Sequence, residues 1–112
     1  MYARILVPID GSATSMQGLT EAIKLATALQ ARVRVVHVIN ELLADYTLAP
    51  SVYYEKVIEA EREAGKKTLA NAQAHARELG YDVELELLET IGARASTMII
   101  EAAKRWDAEL IV

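Results

Sequence analysis

Two short segments of this chain are almost continuously apolar, and they restrict the fold more than any other feature. Residues 5–9 read ILVPI, and residues 33–39 read VRVVHVI. A strand with one solvated face alternates apolar and polar side chains, whereas a nearly continuous apolar strand is covered on both faces. The two segments therefore predict central strands of a parallel sheet with helices packed on each side.

Strand and helix patterns alternate along the whole chain. The predicted strands cover residues 3–9, 32–39, 82–88 and 108–112, and the predicted helices cover residues 14–29, 51–79 and 96–105, with a connection over residues 40–50. With right-handed crossovers, this order predicts an α/β fold, an open, doubly wound parallel sheet with strand order 3-2-1-4. Strict alternation in residues 82–88 predicts that the third strand lies at an edge.

The predicted helix over residues 51–79 is long for a chain of this size. At about 1.5 Å per residue it would extend roughly 40 Å, further than a small sheet can cover. We therefore expect that its first part projects from the domain or that the helix breaks near Gly65.

Composition narrows the class of protein. The chain has 112 residues, of which 53% are hydrophobic, so we expect a single domain over residues 1–112. Its net charge of −4 argues against nucleic-acid binding, which needs clustered lysine and arginine. It has no cysteine, no apparent signal peptide and no apolar run near the roughly 20 residues that span a bilayer. We expect a soluble cytoplasmic protein without membrane insertion.

The first strand ends in Asp10, Gly11 and Ser12, directly before a predicted helix. Ligands of open parallel sheets bind beyond the carboxyl ends of the strands, and a helix N-terminus favours anions. Gly11 permits a tight turn and a close approach of backbone to ligand, and Asp10 can accept hydrogen bonds from hydroxyl or amino groups. The junction is compatible with a nucleoside phosphate site, and equally with a simple turn in which Asp10 and Ser12 cap the helix.

Three blocks, MYARILVPIDGSATS, RVRVVHVINE and IIEAAKRWDAELIV, resemble successive blocks of the universal stress protein family. The resemblance covers the whole chain and implies a doubly wound α/β domain, commonly dimeric, with one branch that binds ATP. In that branch the positions at the adenosine correspond here to Pro8, Ile9, Asp10 and Val38. Together with the turn residues Gly11 and Ser12, these form the predicted cofactor site for ATP or another adenine nucleotide, with Mg²⁺ as a companion of the phosphates.

The phosphate-binding motif of that branch is a glycine pattern, Gly-x2-Gly-x9-Gly-(Ser/Thr), which follows the fourth strand. The printed sequence stops at Val112, before this motif and before the family's fifth strand. We therefore expect a C-terminal segment beyond the 112 residues. We also expect a cleft between the carboxyl ends of strands 1 and 4, with the nucleotide at the ends of strands 1, 2 and 4.

The leading functional hypothesis is a stress-response regulatory protein that binds ATP or AMP and acts through a homodimer or a protein partner. The sequence contains neither the lysine of a Walker motif nor a recognisable set of residues that would position a catalytic base. We therefore expect no enzymatic activity other than weak ATP hydrolysis. A second hypothesis is an interaction module that binds no nucleotide, which the glycine motif would distinguish. A third is a nucleotidyl-transfer enzyme of the related superfamily, although the expected Ser-Gly-Gly-x-Asp-Ser loop is not matched here.

The two histidines, His37 and His75, do not form a metal motif. His37 lies in an apolar strand and is predicted to be a hydrogen-bonded core residue. His75 lies on the charged helix and is predicted to face solvent. No catalytic residue and no metal ligand are predicted.

Overall fold

The computed structural model describes residues 3–40 and 51–112, apart from the side chains of residues 51–54. Most of the predicted connection over residues 40–50 therefore lies outside the described residues. The described elements, in chain order, are β1 (Arg4–Pro8), α1 (Ala13–Leu29), β2 (Arg32–Asn40), α2 (Ser51–Glu78), β3 (Glu84–Thr90), α3 (Ala95–Trp106) and β4 (Leu110–Ile111). This alternation of strands and helices confirms the predicted order.

The four strands form one parallel sheet in the order β3-β2-β1-β4. The predicted α/β architecture and strand order are both confirmed, and β3 lies at an edge as expected. In the centre of the sheet, Pro8 at the end of β1 pairs with Val36 in β2. The end of β1 therefore lies beside the middle of β2, which continues in the same direction to Asn40.

Successive residues of each central strand point to opposite faces of the sheet, and each face has its own apolar core. On one face, Ile5 and Val7 pack with α1 and α2, whose buried residues include Leu19 and Leu69. On the other face, Leu6 packs with Val36 of β2 and the inner side of α3, which contributes residues such as Ala102 and Trp106. Both faces of β1 and β2 are covered, which explains why their sequences are almost continuously apolar.

Helix α2 is continuous from Ser51 to Glu78, so the alternative of a break near Gly65 is wrong. Glycine weakens a helix by about 0.5–1 kcal/mol relative to alanine. At Gly65, however, the helix backbone lies close against side chains of the sheet. A Cβ at this position would lie 2.9 Å from Leu87 Cδ1 and 3.0 Å from His37 Cδ2. The glycine therefore allows α2 to lie directly on β2 and β3.

The predicted alternation in β3 is only partly correct. Val83 is buried, but Leu85 is 38% exposed, because this edge strand is incompletely covered. The opposite face is not simply solvated, since Glu84 accepts hydrogen bonds from Arg32 and Arg34 of β2. Arg34 also lies over the ring of Trp106, with its guanidinium carbon 4.6 Å from the ring centroid. These contacts join the edge strand to β2 and α3.

Within residues 3–40 and 51–112, no helix has the length and apolar character that a membrane crossing requires.

Candidate functional site

A tight turn connects β1 to α1 at the point that the sequence singled out. The N–H of Ile9 donates to the carbonyl of Val36 at 2.8 Å, which keeps the chain on the sheet one residue beyond β1. Gly11 then has φ +86°, a conformation that favours glycine. Ser12 is the N-cap of α1, and its hydroxyl oxygen accepts a hydrogen bond from the N–H of Ser15 at 3.1 Å. The predicted capping turn is therefore confirmed, with Ser12 as the cap of α1.

Asp10 is exposed at this turn and is held in an ionised state. Its Oδ1 accepts a hydrogen bond from the backbone N–H of Ser12 at 2.9 Å. Hydrogen bonding from the Ser12 side chain, followed by that from the Ser12 backbone and from the Ser15 side chain, lowers the pKa of Asp10 from 3.8 to about 2. The carboxylate is therefore an acceptor at neutral pH, suited to hydroxyl and amino groups.

A cavity of about 270 Å³ opens beside this turn, between the ends of β1 and β2 and the first turns of α3. Its lining consists of Pro8, Ile9, Asp10, Ser15, Val36, His37, Val38, Ala95 and Ile99. Most of these side chains are apolar, and the polar groups are concentrated at Asp10, Ser15 and His37. A mostly apolar cavity with a few polar groups is typical of a small-molecule site.

Four of the six predicted site residues, Pro8, Ile9, Asp10 and Val38, line this cavity together. Gly11 and Ser12 do not line it and lie in the adjoining exposed turn. The cavity lies on the β2 side of β1, and among the residues that the structure describes, none from β4 contributes to its lining. The cleft that we expected between β1 and β4 is therefore not where this cavity lies.

Several lining residues were not predicted from the sequence as site residues. His37 was interpreted as a core residue, but it is only half-buried, and its Nδ1 is 2.8 Å from the carbonyl oxygen of Ile9. Ala95 and Ile99 come from α3, which reaches the cavity because it packs against β1 and β2. Their sequence carries no signal beyond the beginning of a helix after a strand.

The loop between β3 and α3 is held to the end of β2 by Asn40. The side-chain amide of Asn40 donates to the carbonyl of Ala93 and accepts from the N–H of Gly92, both at 3.3 Å. Gly92 has φ +88°, so it gives this loop its turn next to the cavity. The amide thereby places the start of α3, and with it Ala95, against β2.

A larger hollow of about 410 Å³ lies at the opposite ends of the strands. Several of its polar groups already have partners, since Arg32 is paired with Glu84 and the hydroxyl of Tyr81 donates to the carbonyl of Ala31. Ligands of open parallel sheets bind at the carboxyl ends, which are at the other edge. We therefore assign the candidate site to the smaller cavity.

The prediction for His75 was wrong. This residue is half-buried, and its Nε2 lies 2.7 Å from Thr20 Oγ1 of α1. His75 thus joins α2 to α1 and lies away from the candidate site. Among the described residues, no group of three or more His, Cys, Asp or Glu side chains could hold a metal ion.

A family model, a curated relative and solved structures all point to the same protein family. Residues 1–112 match the Universal stress protein family. A universal stress protein of Methanocaldococcus jannaschii is 29% identical over 113 residues, and the match covers 100% of this chain. The chain spans 64% of the length of that relative.

Solved structures share the fold. A crystal structure of a universal stress protein family member from Burkholderia pseudomallei is 31% identical, with a TM-score of 0.80, over 98% of this chain and 79% of that one. A crystal structure of a universal stress protein in complex with cAMP is 19% identical, with a TM-score of 0.61, over 98% of this chain and 70% of that one. At 19% identity, the second likeness concerns the fold alone.

Proposed function

Because this chain belongs to the universal stress protein family, we propose that it is a regulatory protein of the stress response that binds ATP or AMP at the cavity between β1 and β2. Residues 1–112 act in this proposal as one nucleotide-binding domain in the cytoplasm. The nucleotide-bound protein is recognised by a second copy of the chain or by another protein, and the nucleotide is not chemically converted.

The observation that carries the proposal is the ionised Asp10 at the mouth of a mostly apolar cavity. Val36, Val38 and Ile99 offer apolar walls to a flat base. Asp10 offers a carboxylate acceptor to a ribose hydroxyl or to the exocyclic amino group of adenine. The universal stress protein crystallised with cAMP shares the fold, and its ligand is also an adenine nucleotide.

The size of the cavity bears on which part of the nucleotide it would hold. Its volume of about 270 Å³ is slightly below the range of about 300–1,000 Å³ that is usual for ligand pockets. We therefore place the adenosine in the cavity and the phosphates outside it. The turn at Gly11 and Ser12 leads into the N-terminus of α1, whose dipole favours anions. Mg²⁺ would accompany the phosphates there.

Calorimetric titration of the full-length protein with ATP, AMP and adenosine tests the proposal, with GTP as a control for the base. We expect binding of the adenine compounds and little binding of GTP. If no adenine compound binds, the nucleotide hypothesis is wrong, and a module that acts through protein contacts alone remains.

The variant Asp10→Ala tests the role of the carboxylate. Loss of a hydrogen bond between the ligand and a charged group costs about 1–3 kcal/mol, so the affinity for ATP should fall about 5- to 150-fold. The matched control is Asp82→Ala, which removes a carboxylate that is 97% exposed at the other end of the strands. Equal affinities of Asp10→Ala and the wild type would remove Asp10 from the site.

A further inference from the structure

The peptide unit between Ile9 and Asp10 is held at both of its polar groups. Its carbonyl, that of Ile9, lies 2.8 Å from Nδ1 of His37. Its N–H, that of Asp10, donates to Oγ of Ser15 at 3.4 Å. A carbonyl oxygen can only accept, so Nδ1 of His37 carries the proton. Two side chains from different elements, β2 and α1, thus fix the plane of one peptide group.

We propose that His37 is a positioning residue, which fixes the plane of the Ile9–Asp10 peptide and thereby aims the Asp10 carboxylate at the nucleotide. That Asp10 contacts a nucleotide rests on the proposed function. The last sheet hydrogen bond of this segment runs from the N–H of Ile9 to the carbonyl of Val36, so the orientation of the next peptide group depends on other contacts. The orientation of that peptide, together with the φ angle of Asp10, sets the direction in which the Asp10 side chain leaves the backbone.

The ring of His37 is itself restrained by α2. Its Cδ2 lies 3.0 Å from the position that a Cβ on Gly65 would take, so the backbone of α2 passes directly beside the ring. The ring therefore has little room to swing towards α2 and away from the Ile9 carbonyl. In this way the packing of α2 on the sheet reaches the cavity through the ring of His37.

Two substitutions separate the hydrogen bond of His37 from its volume. His37→Asn keeps an N–H donor close to the position of Nδ1 but removes the ring. His37→Leu keeps a bulky side chain but removes the donor. His75→Leu is the matched control, since it removes a half-buried histidine with one polar contact outside the cavity. Thermal unfolding of each variant establishes that it is folded.

The first readout needs no ligand. Amide exchange at Asp10, measured by nuclear magnetic resonance, should be faster in His37→Leu than in the wild type, because the peptide is free to reorient. It should stay close to the wild-type rate in His37→Asn and His75→Leu. Unchanged exchange in His37→Leu would overturn the proposal. This readout decides the positioning role even if the wild type binds no adenine nucleotide, which would contradict only the proposed function.

The second readout is the affinity for ATP. Loss of one hydrogen bond should weaken binding about five-fold in His37→Leu, with little change in His37→Asn. In an Asp10→Ala background, His37→Leu should have no further effect, because His37 acts through Asp10. Additive losses in the double variant, or a loss in His37→Asn with normal exchange at Asp10, would show that His37 contacts the ligand directly and would overturn the positioning role.

Discussion

Replacing Gly65 with alanine would add a methyl group where α2 lies close against the sheet. Two terms oppose each other. Alanine favours the helix over glycine by about 0.5–1 kcal/mol. The new Cβ would lie 2.9 Å from Leu87 Cδ1, 3.0 Å from His37 Cδ2 and 3.2 Å from Ile39 Cδ1. All three distances are shorter than an ordinary van der Waals contact between carbon atoms, so at least one group must move.

The three neighbours differ in how easily they can move. Leu87 is half-buried on the edge strand, and its Cδ1 can rotate away at low cost. The ring of His37 is held by its hydrogen bond to the Ile9 carbonyl, and Ile39 is buried. Overpacking of this kind costs about 1–3 kcal/mol. After the gain in helix propensity is subtracted, we expect Gly65→Ala to lower the free energy of unfolding by about 0–2.5 kcal/mol.

Gly18 provides a matched control within the same chain. It lies inside α1, and apart from its chain neighbours and the backbone of its own helix, no heavy atom among the described residues lies within 4 Å of the position that its Cβ would take. Gly18→Ala should therefore raise the free energy of unfolding by about 0.5–1 kcal/mol. Urea unfolding of both variants, followed by circular dichroism, isolates the packing cost as their difference. If Gly65→Ala is stabilised as much as Gly18→Ala, the close contact of α2 with the sheet is not as described.

Two further predictions concern the polar groups around the cavity. The folded-state pKa of Asp10 lies near 2, below its ordinary value of 3.8, so its carboxylate stabilises the fold above about pH 4 and this contribution disappears as the pH falls towards 2. The stability difference between the wild type and Asp10→Asn, measured by urea unfolding, should be constant above about pH 5 and shrink as the pH falls towards 2; a difference that is undiminished at about pH 2 would contradict this. Asn40→Ala removes both contacts to the β3–α3 loop and should cost about 1 kcal/mol, with faster amide exchange at Gly92. Unchanged exchange there would mean that the loop does not depend on Asn40.

The fold was predictable because its signals are local and repeated. The apolar segments around Ile5 and Val35 indicated strands buried on both faces, and the helical periodicities between them left few possible topologies. The turn at Asp10 was predictable for a similar reason, since a glycine and a capping serine follow directly in sequence.

The parts that failed depend on contacts between distant segments. The continuity of α2 at Gly65 depends on β2 and β3, which the helix pattern does not contain. His75 was assigned to solvent because its neighbours in sequence are charged, but its partner, Thr20, is 55 residues away. Ile99 and His37 line the cavity only because α3 and β2 are brought beside β1 by the sheet.

The stack of Arg34 on Trp106 has a consequence for observing the protein. Trp106 is the single tryptophan of the chain, and the guanidinium groups of Arg34 and Arg32 lie over its ring. We expect its emission to depend on these cations. Trp106 lies at the last turn of α3, whereas Ala95 and Ile99 at the other end of the same helix line the cavity. Over these residues the helix extends roughly 16 Å, so the indole reports from outside the cavity on any tilt of α3. The intrinsic fluorescence of Trp106 can therefore be used to follow a displacement of α3 without an attached dye.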